Sequence, residues 1–430
     1  MQNGKVSSRA ICSLRPFEVE LMNSSFTYMG TKHRISDQVA DIICRSPDGP
    51  ILDLFAGVSA VGKALIEERP VWCNDIQHFA FNVAGAFFTS KSGARLSIEQ
   101  IAECEDYFNQ NLVNLSNRFR ALLAKEEQAL ANEDVAALAE SSTELILMCE
   151  AEAAGVWRQR LRSTPQNFPY CLFTITHSGG YVGLRQAIEI DSIRYSTDHL
   201  LQRERISTES WRWMIIALCH ALFAVSNSTG HFAQYLTVKP SNKYRFFVKR
   251  RRSPWNAWLG SLNSMIPFGR LQWRLTNKAF RKEAILLLKD LQTVGNRPVV
   301  VYADPPYTRD QYSRYYHFLE TIILYDYPKI SGKGQYRPDR YSSPFCNRTE
   351  VCGAFTALVE NAARVGTTLV LSYPENGFLP DSVKFLLSLL RTSYRKVEIA
   401  GEISHQHSTM GASKGLQKSS VTEMIYLATN

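Results

Sequence analysis

Residues 51–76 read ILDLFAGVSAVGKALIEERPVWCNDI. The run 51–57 is short, apolar and ends in glycine, which is typical of a buried parallel strand. Residues 59–68 show helical spacing, and residues 70–76 form a second apolar run that ends in an acid. Strand, glycine turn, helix and strand make one βαβ unit, so the sequence predicts an α/β fold with a parallel sheet.

Further elements are predicted downstream of this unit. Residues 180–205 have the amphipathic spacing of a helix. Two runs rich in β-forming residues, RPVVVYADPPY at 297–307 and TTLVLSYPENG at 367–377, predict strands. Residues 396–403 and 421–429 are predicted to pair as the closing strands of the sheet.

Composition limits the classes of protein that fit. The chain has 430 residues, 45% hydrophobic and 21% charged, which excludes disorder over most of its length. No stretch reaches the roughly 20 apolar residues of a membrane helix. The nine cysteines are scattered without a CxxC pair, which favours reduced thiols over a disulfide framework or a zinc site. The first 20 residues lack the long apolar core of a secretory signal, so we expect a cytoplasmic protein. The scattered cysteines also lead us to expect no metal.

Charge is segregated along the chain, whose net charge is +9. Residues 210–282 contain 13 Lys and Arg and no acid, whereas residues 99–152 contain 12 acids and 3 basic residues. The first segment is suited to a polyanion and the second is not. Apolar residues over 101–122 form a heptad-like pattern, and a second helical run covers about 136–160. We therefore predict an inserted helical hairpin that faces away from a polyanion.

The strongest chemical signal is Asp304-Pro305-Pro306-Tyr307 at the end of a predicted strand. A carboxylate at the C-terminal edge of a sheet lies where α/β proteins bind ligands. The two prolines have no N–H, so the carbonyls before them remain available as acceptors. Tyr307 adds a flat face. Two acceptors and a stacking face suit a planar amine; the alternative is a strand-ending turn with a capping Asp.

A second signal lies in the βαβ unit itself. Gly57 allows a tight turn beside a ligand, and Asp75 follows Asp53 by 22 residues, at the end of the next strand. An acid at that position can bind ribose hydroxyls. Val58 and Ser59 stand where a dinucleotide-binding turn would have more glycine, so the pattern favours a nucleoside ligand without a pyrophosphate. A solvated strand end is the alternative for Asp75.

A third signal, YMGTK at 28–32, precedes the first strand. Lys32 is suited to pair with a ligand carboxylate, and Tyr28 to pack on a ring or a methylene group. A plain loop that leads into a helix is the alternative.

Together these motifs resemble the amino-group DNA methyltransferases, and specifically the DPPY-type adenine-N6 methylases of the alpha arrangement. The order matches that family: 28–32, 53–57, a basic region at 210–282, and then 304–307. The run 304–321, DPPYTRDQYSRYYHFLET, is also similar to it. The resemblance covers about two thirds of the chain. It implies a Rossmann-like, S-adenosylmethionine-dependent methyltransferase sheet with an inserted helical hairpin and a basic target-recognition region.

The resemblance also implies roles for individual residues. Lys32 and Tyr28 would contact the methionine half of S-adenosylmethionine, and Asp75 its ribose. The cofactor-binding residues it implies are Tyr28, Gly30, Lys32, Asp53, Phe55, Gly57 and Asp75. The catalytic residues it implies are Asp304, Pro305, Pro306 and Tyr307, of which Asp304 and the Pro305 carbonyl would hold the target amine and Tyr307 would stack on the extruded base.

The basic region is predicted to bind DNA. The expected contacts are Lys249, Arg250, Arg251, Arg252 and Trp255, with phosphates as the partners of the charged groups. One departure from the family lies at residues 275–283, LTNKAFRKE, where Phe280 has no acid before it. The family often carries an acidic-aromatic pair at this point.

These observations predict the domain order. Residues 1–95 would bind the cofactor, 96–165 would form the helical hairpin, 166–209 would be catalytic-domain helices, 210–283 would recognise the target, and 284–430 would complete the catalytic domain with the DPPY motif. The expected activity is methyl transfer from S-adenosylmethionine to N6 of a flipped adenine in double-stranded DNA, in restriction-modification or phage defence. A restriction endonuclease or another defence subunit is the expected protein partner, and the bacterial or phage-host cytoplasm, beside the nucleoid, is the expected location. The alternatives are a cytosine-N4 methyltransferase and an inactive DNA-binding subunit.

Overall fold

The protein is built around one seven-stranded sheet. The structure is a computed structural model that describes residues 35–154, 170–408 and 418–430. Its strands are β1 Ile51–Asp53, β2 Val71–Asn74, β3 Lys278–Phe280, β4 Val300–Ala303, β5 Thr368–Pro374, β6 Lys396–Ser408 and β7 Lys418–Thr429. The order in the sheet is β3-β2-β1-β4-β5-β7-β6. The first five are parallel, and β7 is antiparallel to both of its neighbours.

Helices cover both faces of this sheet. In chain order they are α1 Ser36–Ile43, α2 Ala60–Ala64, α3 His78–Phe87, α4 Ile98–Arg118, α5 Arg120–Ala131, α6 Val135–Ala154, α7 Leu172–Thr176, α8 Leu184–Gln202, α9 Thr208–Val225, α10 Lys243–Arg251, α11 Pro254–Ser264, α12 Leu271–Arg274, α13 Ala284–Leu291, α14 Ser313–Leu324, α15 Val351–Val365 and α16 Ser382–Ser393. Short 3₁₀ turns lie at Pro240–Asn242 and Pro344–Cys346. None of the helices in the described ranges is long and apolar enough to span a bilayer.

Successive residues of the central strands pack into two different cores. Ile51 and Val300 point to the face covered by α3, α8 and α9, whereas Leu52 and Val301 point to the face covered by α13, α15 and α16. Both faces of β1 and β4 are therefore buried, as expected for near-continuous apolar runs in a parallel sheet. The α/β prediction is confirmed, and the closing strands pair with each other as predicted.

The inserted hairpin differs in detail from the prediction. It contains three helices, because the first helical run ends at Phe119 and restarts as α5. A capping box of Ser97 and Gln100 begins α4, and the hairpin packs on α8.

The region predicted to recognise DNA begins inside the protein core. The predicted boundary at residues 209 and 210 falls within α9, which is buried along most of its length. Trp213 and Leu222 of this helix are fully buried in the same core as β1. The acid-free composition of this segment therefore reflects buried apolar structure as well as surface charge.

Candidate active site

Three carboxylates lie at the carboxyl ends of neighbouring strands. Asp53 ends β1 and pairs in register with Cys73 on one side and Tyr302 on the other. Asp75 directly follows β2, and Asp304 directly follows β4. The sheet order reverses between β1 and β4, and such a switch point is where open α/β sheets bind ligands.

A cavity opens at these strand ends. It encloses about 1000 Å³ including the solvent space at its mouth, at the upper end of the ~300–1,000 Å³ of ligand pockets. Its lining includes every predicted cofactor-binding or catalytic residue that the structure describes: Asp53, Phe55, Gly57, Asp75, Asp304, Pro305, Pro306 and Tyr307. The predicted contacts Tyr28, Gly30 and Lys32 lie outside the described residues, so their roles stay predictions.

The turn after β1 is coupled to Asp75. Gly57 has φ +52° and Ser59 has φ +57°, so the chain turns sharply in the left-handed region before α2. The Gly57 N–H donates to Asp75 Oδ2 over 3.0 Å, and the Gln77 N–H donates to Oδ1 over 2.9 Å. Burial raises the pKa of Asp75 to about 6, although these hydrogen bonds lower it. Asp75 thus organises the turn and keeps further lone pairs for a ligand.

Asp53 lies deeper in the cavity and is only 2% exposed. Burial raises the pKa of its carboxyl well above the usual range, and the negative charges of Asp304 and Asp75 add to this effect. A hydrogen bond from the Phe55 N–H opposes it. The other carboxylate oxygen has no hydrogen-bond partner among the described residues. A buried polar atom of this kind favours a ligand group at the same place.

The Asp304-Pro305-Pro306-Tyr307 segment is anchored at Tyr307. Burial and the charge of Asp304 raise the pKa of the neighbouring Tyr302 hydroxyl, which therefore stays protonated. The Tyr307 carbonyl accepts a hydrogen bond of 2.8 Å from the Phe378 N–H, in the turn after β5. The Tyr307 ring also packs against the apolar core below. These contacts present a carboxylate and a ring side by side at the cavity.

Several cavity residues were not predicted from the sequence. They are Gln77, Lys282, Glu283, Gln311, Tyr312, Ser313, Tyr341 and Ser343, among others. Gln311 and Ser313 lie in the run 304–321 that resembles the family, which was an available signal. Tyr341 and Ser343 carry no local pattern. The sequence has no acid just before Phe280. Glu283, three residues after Phe280, lines the cavity and places a carboxylate near this strand instead.

Arg250 does not occupy the position predicted for a phosphate contact. Its side chain is 1% exposed, and its guanidinium donates to the carbonyls of Gly179 and Gly180. Glu126 of the acidic hairpin lies beside it and accepts the N–H groups of Leu184 and Arg185 at the start of α8. A buried guanidinium bound to backbone carbonyls cannot reach a phosphate, so the prediction that Arg250 contacts a DNA phosphate is wrong.

The other predicted DNA contacts also make internal contacts. Lys249 donates to the carbonyls of Phe223 and Ala224 at the end of α9, and burial lowers its pKa to about 8. Arg251 binds the Leu130 carbonyl and pairs with Glu133 of the hairpin. The side chains of Arg251 and Arg252 still reach the surface.

Trp255 packs between two aromatic side chains. Its ring lies 4.3 Å from Phe108 of the hairpin and 5.0 Å from Trp258, measured between ring centroids. Residues 249–255 therefore join the hairpin to the catalytic helices. Their roles in DNA binding stay predictions, apart from the correction at Arg250.

Within the described ranges, no three His, Cys, Asp or Glu side chains are grouped closely enough to hold a metal ion. The cavity instead offers carboxylates, aromatic rings and backbone acceptors to an organic ligand.

The fold and the strand-end cavity define an α/β protein of the methyltransferase type. Residues 178–365 match the model of the D12 class of N6 adenine-specific DNA methyltransferases, and this range includes the Asp304–Tyr307 motif. The chain is therefore similar to that class over residues 178–365.

The relatives that match the chain are also methyltransferases by name. Type II methyltransferase M.FokI of Planomicrobium okeanokoites is 26% identical over 82% of this chain and 45% of its own length. Modification methylase LlaI of Lactococcus lactis is 25% identical over 52% of this chain and 33% of its own length. Modification methylase StsI of Streptococcus sanguinis is 21% identical over 86% of this chain and 48% of its own length. The chain thus spans a third to a half of the length of these relatives. No solved structure matches it.

Proposed function

We propose that this chain transfers a methyl group from S-adenosylmethionine to the exocyclic N6 of an adenine flipped out of double-stranded DNA. The observation that carries the proposal is one cavity that joins Asp75, a candidate ribose ligand, to the Asp304–Tyr307 segment, a candidate site for a planar amine. The match of residues 178–365 to the N6 adenine-specific class supports adenine over the cytosine-N4 alternative.

The cavity residues fit the proposed cofactor. Asp75 would accept hydrogen bonds from ribose hydroxyls, as acids at this strand end do in nucleoside-binding folds. The turn at Gly57 would allow close approach of the ligand to the backbone. The buried oxygen of Asp53 would be satisfied by a polar group of the ligand. When bound, S-adenosylmethionine supplies an electrophilic methyl group.

The chain's own residues would activate the target nitrogen. The lone pair of an exocyclic amine is delocalised into the ring, so the amine is a weak nucleophile. Hydrogen bonds from this amine to the Asp304 carboxylate and the Pro305 carbonyl would favour a more sp³-like nitrogen and stabilise the positive charge that develops there. Burial and the charge of Asp304 raise the pKa of Asp53, which disfavours a second negative charge beside Asp304.

Tyr307 would retain the base outside the duplex. Flipping costs a few kcal/mol, and stacking on one aromatic ring returns about 1–3 kcal/mol. Holding the amine in line with the methyl group supplies further acceleration. No covalent enzyme intermediate is required by this arrangement.

The biological setting belongs to the same proposal. The matching relatives are named as type II and modification methylases, which supports a role in restriction-modification or phage defence in the cytoplasm, beside the nucleoid. A cognate endonuclease or another defence subunit is the proposed partner. Arg251 and Arg252, at the surface of the basic stretch, are the proposed phosphate contacts that remain after the correction at Arg250.

The test is transfer of labelled methyl from S-adenosylmethionine to duplex DNA, followed by nucleoside analysis. Wild type should form N6-methyladenine, and Asp304→Ala should not, while it still binds the cofactor. Asp48→Ala is the matched control, because Asp48 is exposed and does not line the cavity. Formation of N4-methylcytosine would show that the substrate is cytosine rather than adenine. Cofactor binding by wild type without methyl transfer would favour the inactive DNA-binding subunit.

A further inference from the structure

Residues 341–343 cover one side of the cavity. They belong to the connection between α14 and α15, and both Tyr341 and Ser343 line the cavity. Gln311 binds the Ser343 backbone twice: its Nε2 donates to the Ser343 carbonyl over 3.1 Å, and its Oε1 accepts from the Ser343 N–H over 2.7 Å. Ser313 Oγ donates to the Tyr341 carbonyl over 2.7 Å. Three hydrogen bonds therefore fix this short segment above the strand ends.

The chain is also fixed on both sides of the segment. Arg337, only 3% exposed, pairs with the carboxylates of Asp326 and Asp339. Phe345 is buried, and its ring meets the ring of Phe55 edge-on with centroids 5.4 Å apart. Because the chain is packed on both sides of residues 341–343, this segment forms a fixed part of the cavity wall.

Tyr341 lines the same cavity as Asp75 and Glu283. Burial raises the pKa of Tyr341 to about 12, and the charges of Glu283 and Asp75 add to the effect, so the hydroxyl lies near both carboxylates. Glu283 follows β3 and Asp75 follows β2, whereas Asp304 follows β4. In the sheet, β1 separates β2 from β4. Tyr341 therefore shares the cavity with Asp75, the candidate ribose ligand, and lies near it.

We propose that Tyr341 binds the adenosine half of the methyl donor, and that Gln311 and Ser313 are positioning residues that hold it there. A planar phenol ring can stack on a purine, and its hydroxyl can exchange hydrogen bonds with a purine nitrogen or a ribose hydroxyl. The inference rests on the proposed function, since it assigns a further contact to the same cofactor. It adds a recognition element that comes from the connection after α14.

The first experiment measures the affinity of the full chain for S-adenosylmethionine by titration calorimetry. Tyr341→Ala should weaken binding about tenfold, equal to about 1.4 kcal/mol, by removing a stacking ring. Tyr341→Phe keeps the ring and should retain most of the affinity. Tyr244→Ala is the matched control, because Tyr244 is 81% exposed and does not line the cavity, and its affinity should equal that of wild type.

The second experiment tests which half of the cofactor Tyr341 contacts. The probe 5′-methylthioadenosine contains the adenosine half and lacks the amino-acid half. Tyr341→Ala should weaken its binding by the same factor as for S-adenosylmethionine. Gln311→Ala keeps the ring but removes both hydrogen bonds to Ser343, and it should weaken both probes several-fold. Affinity for duplex DNA should stay at the wild-type value in each variant.

The outcomes separate this inference from the proposed function. If folded Tyr341→Ala binds both probes as tightly as wild type, the inference is wrong while the proposed function stands. A loss confined to S-adenosylmethionine would also overturn it, because the contact would then lie at the amino-acid half. A wild-type chain that binds no S-adenosylmethionine would overturn the proposed function and this inference with it. Melting of each variant checks folding, and Tyr341→Phe and Gln311→Ala carry the test if the alanine variant does not fold.

Discussion

Replacing Arg250 by alanine tests whether the basic stretch is structural. The Arg250 guanidinium donates to the Gly179 carbonyl over 3.0 Å in the protein interior. Its charge also lies beside Glu126, and a Cβ added to Gly183 would lie 2.4 Å from Glu126 Oε1 and 3.1 Å from the Arg250 guanidinium. Burial lowers the pKa of Arg250 to about 10, so the group stays charged at neutral pH. Its removal leaves the Gly179 and Gly180 carbonyls without this donor and Glu126 without the neighbouring positive charge.

The expected loss is large. Breaking a buried charged contact by removing one partner costs about 3–5 kcal/mol, against a total stability of about 5–15 kcal/mol for a typical domain. Arg252→Ala is the matched control, because Arg252 is exposed and its guanidinium makes one hydrogen bond, 3.0 Å long, to the Ala224 carbonyl. We expect that change to cost less than about 1 kcal/mol. Arg250→Met restores most of the apolar volume and separates the loss of charge from the loss of packing.

The assay combines urea unfolding at pH 7 with DNA affinity across a salt series. Arg250→Ala should lower the unfolding free energy and leave the salt dependence of DNA binding unchanged. Each phosphate contact contributes about one to the slope of log affinity against log salt. Wild-type stability together with a slope reduced by about one would refute the structural role and restore Arg250 as a phosphate contact.

Three further predictions concern two carboxylates, Asp75 and Glu209, and the backbone conformation at Gly57. Burial raises the pKa of Asp75 from 3.8 to about 6, so ionisation of this group costs the unbound protein about 3 kcal/mol of stability as pH rises from about 4 to 6. Asp75→Asn should therefore lose less unfolding free energy than wild type over this pH range. Equal slopes of unfolding free energy against pH in the two proteins would contradict the pKa shift. Glu209 has the opposite sign: burial opposes ionisation, but hydrogen bonds from residues 90–92 prevail and lower its pKa to about 2. Glu209→Gln should therefore cost about 1 kcal/mol at pH 7 after solvent screening, with the difference lost as pH falls from about 4.5 to 2. Gly57→Ala should destabilise the protein by about 1 kcal/mol in urea unfolding, because Gly57 has φ +52°. Gly353 lies in α15 with open space around it, so Gly353→Ala should stabilise the protein by about 0.5–1 kcal/mol. Equal effects of the two substitutions would show that Gly57→Ala causes no backbone strain.

The cavity floor was predictable from local sequence because strand ends follow from simple rules. Asp53, Asp75 and Asp304 each end or directly follow a short apolar run, and parallel strands bring their carboxyl ends to one edge of the sheet. Proline and glycine mark the turns there independently of distant contacts.

The burial of Arg250 was not predictable in the same way. Four basic residues in a row usually indicate a solvated surface, and nothing local reveals that Glu126, 124 positions earlier, lies beside one of them. Tyr341 is similar, because Gln311 and Ser313 hold its segment through hydrogen bonds that span 32 and 28 residues. Sequence reasoning located the residues that chemistry requires at strand ends, and missed those whose environment is set by tertiary packing.

The sheet order also has a consequence for synthesis of the protein. Ile51 of β1 pairs with Val300 of β4, so about 250 residues separate the two central partners. At about 5–20 residues per second, a ribosome needs roughly 12–50 s to deliver β4 after β1 has emerged. Until β3 emerges, shortly before β4, β1 and β2 form at most a two-stranded parallel unit with both edges open. Open strand edges invite pairing with other chains, so we expect the yield of folded protein to depend on temperature and on chaperones that shield this nascent unit.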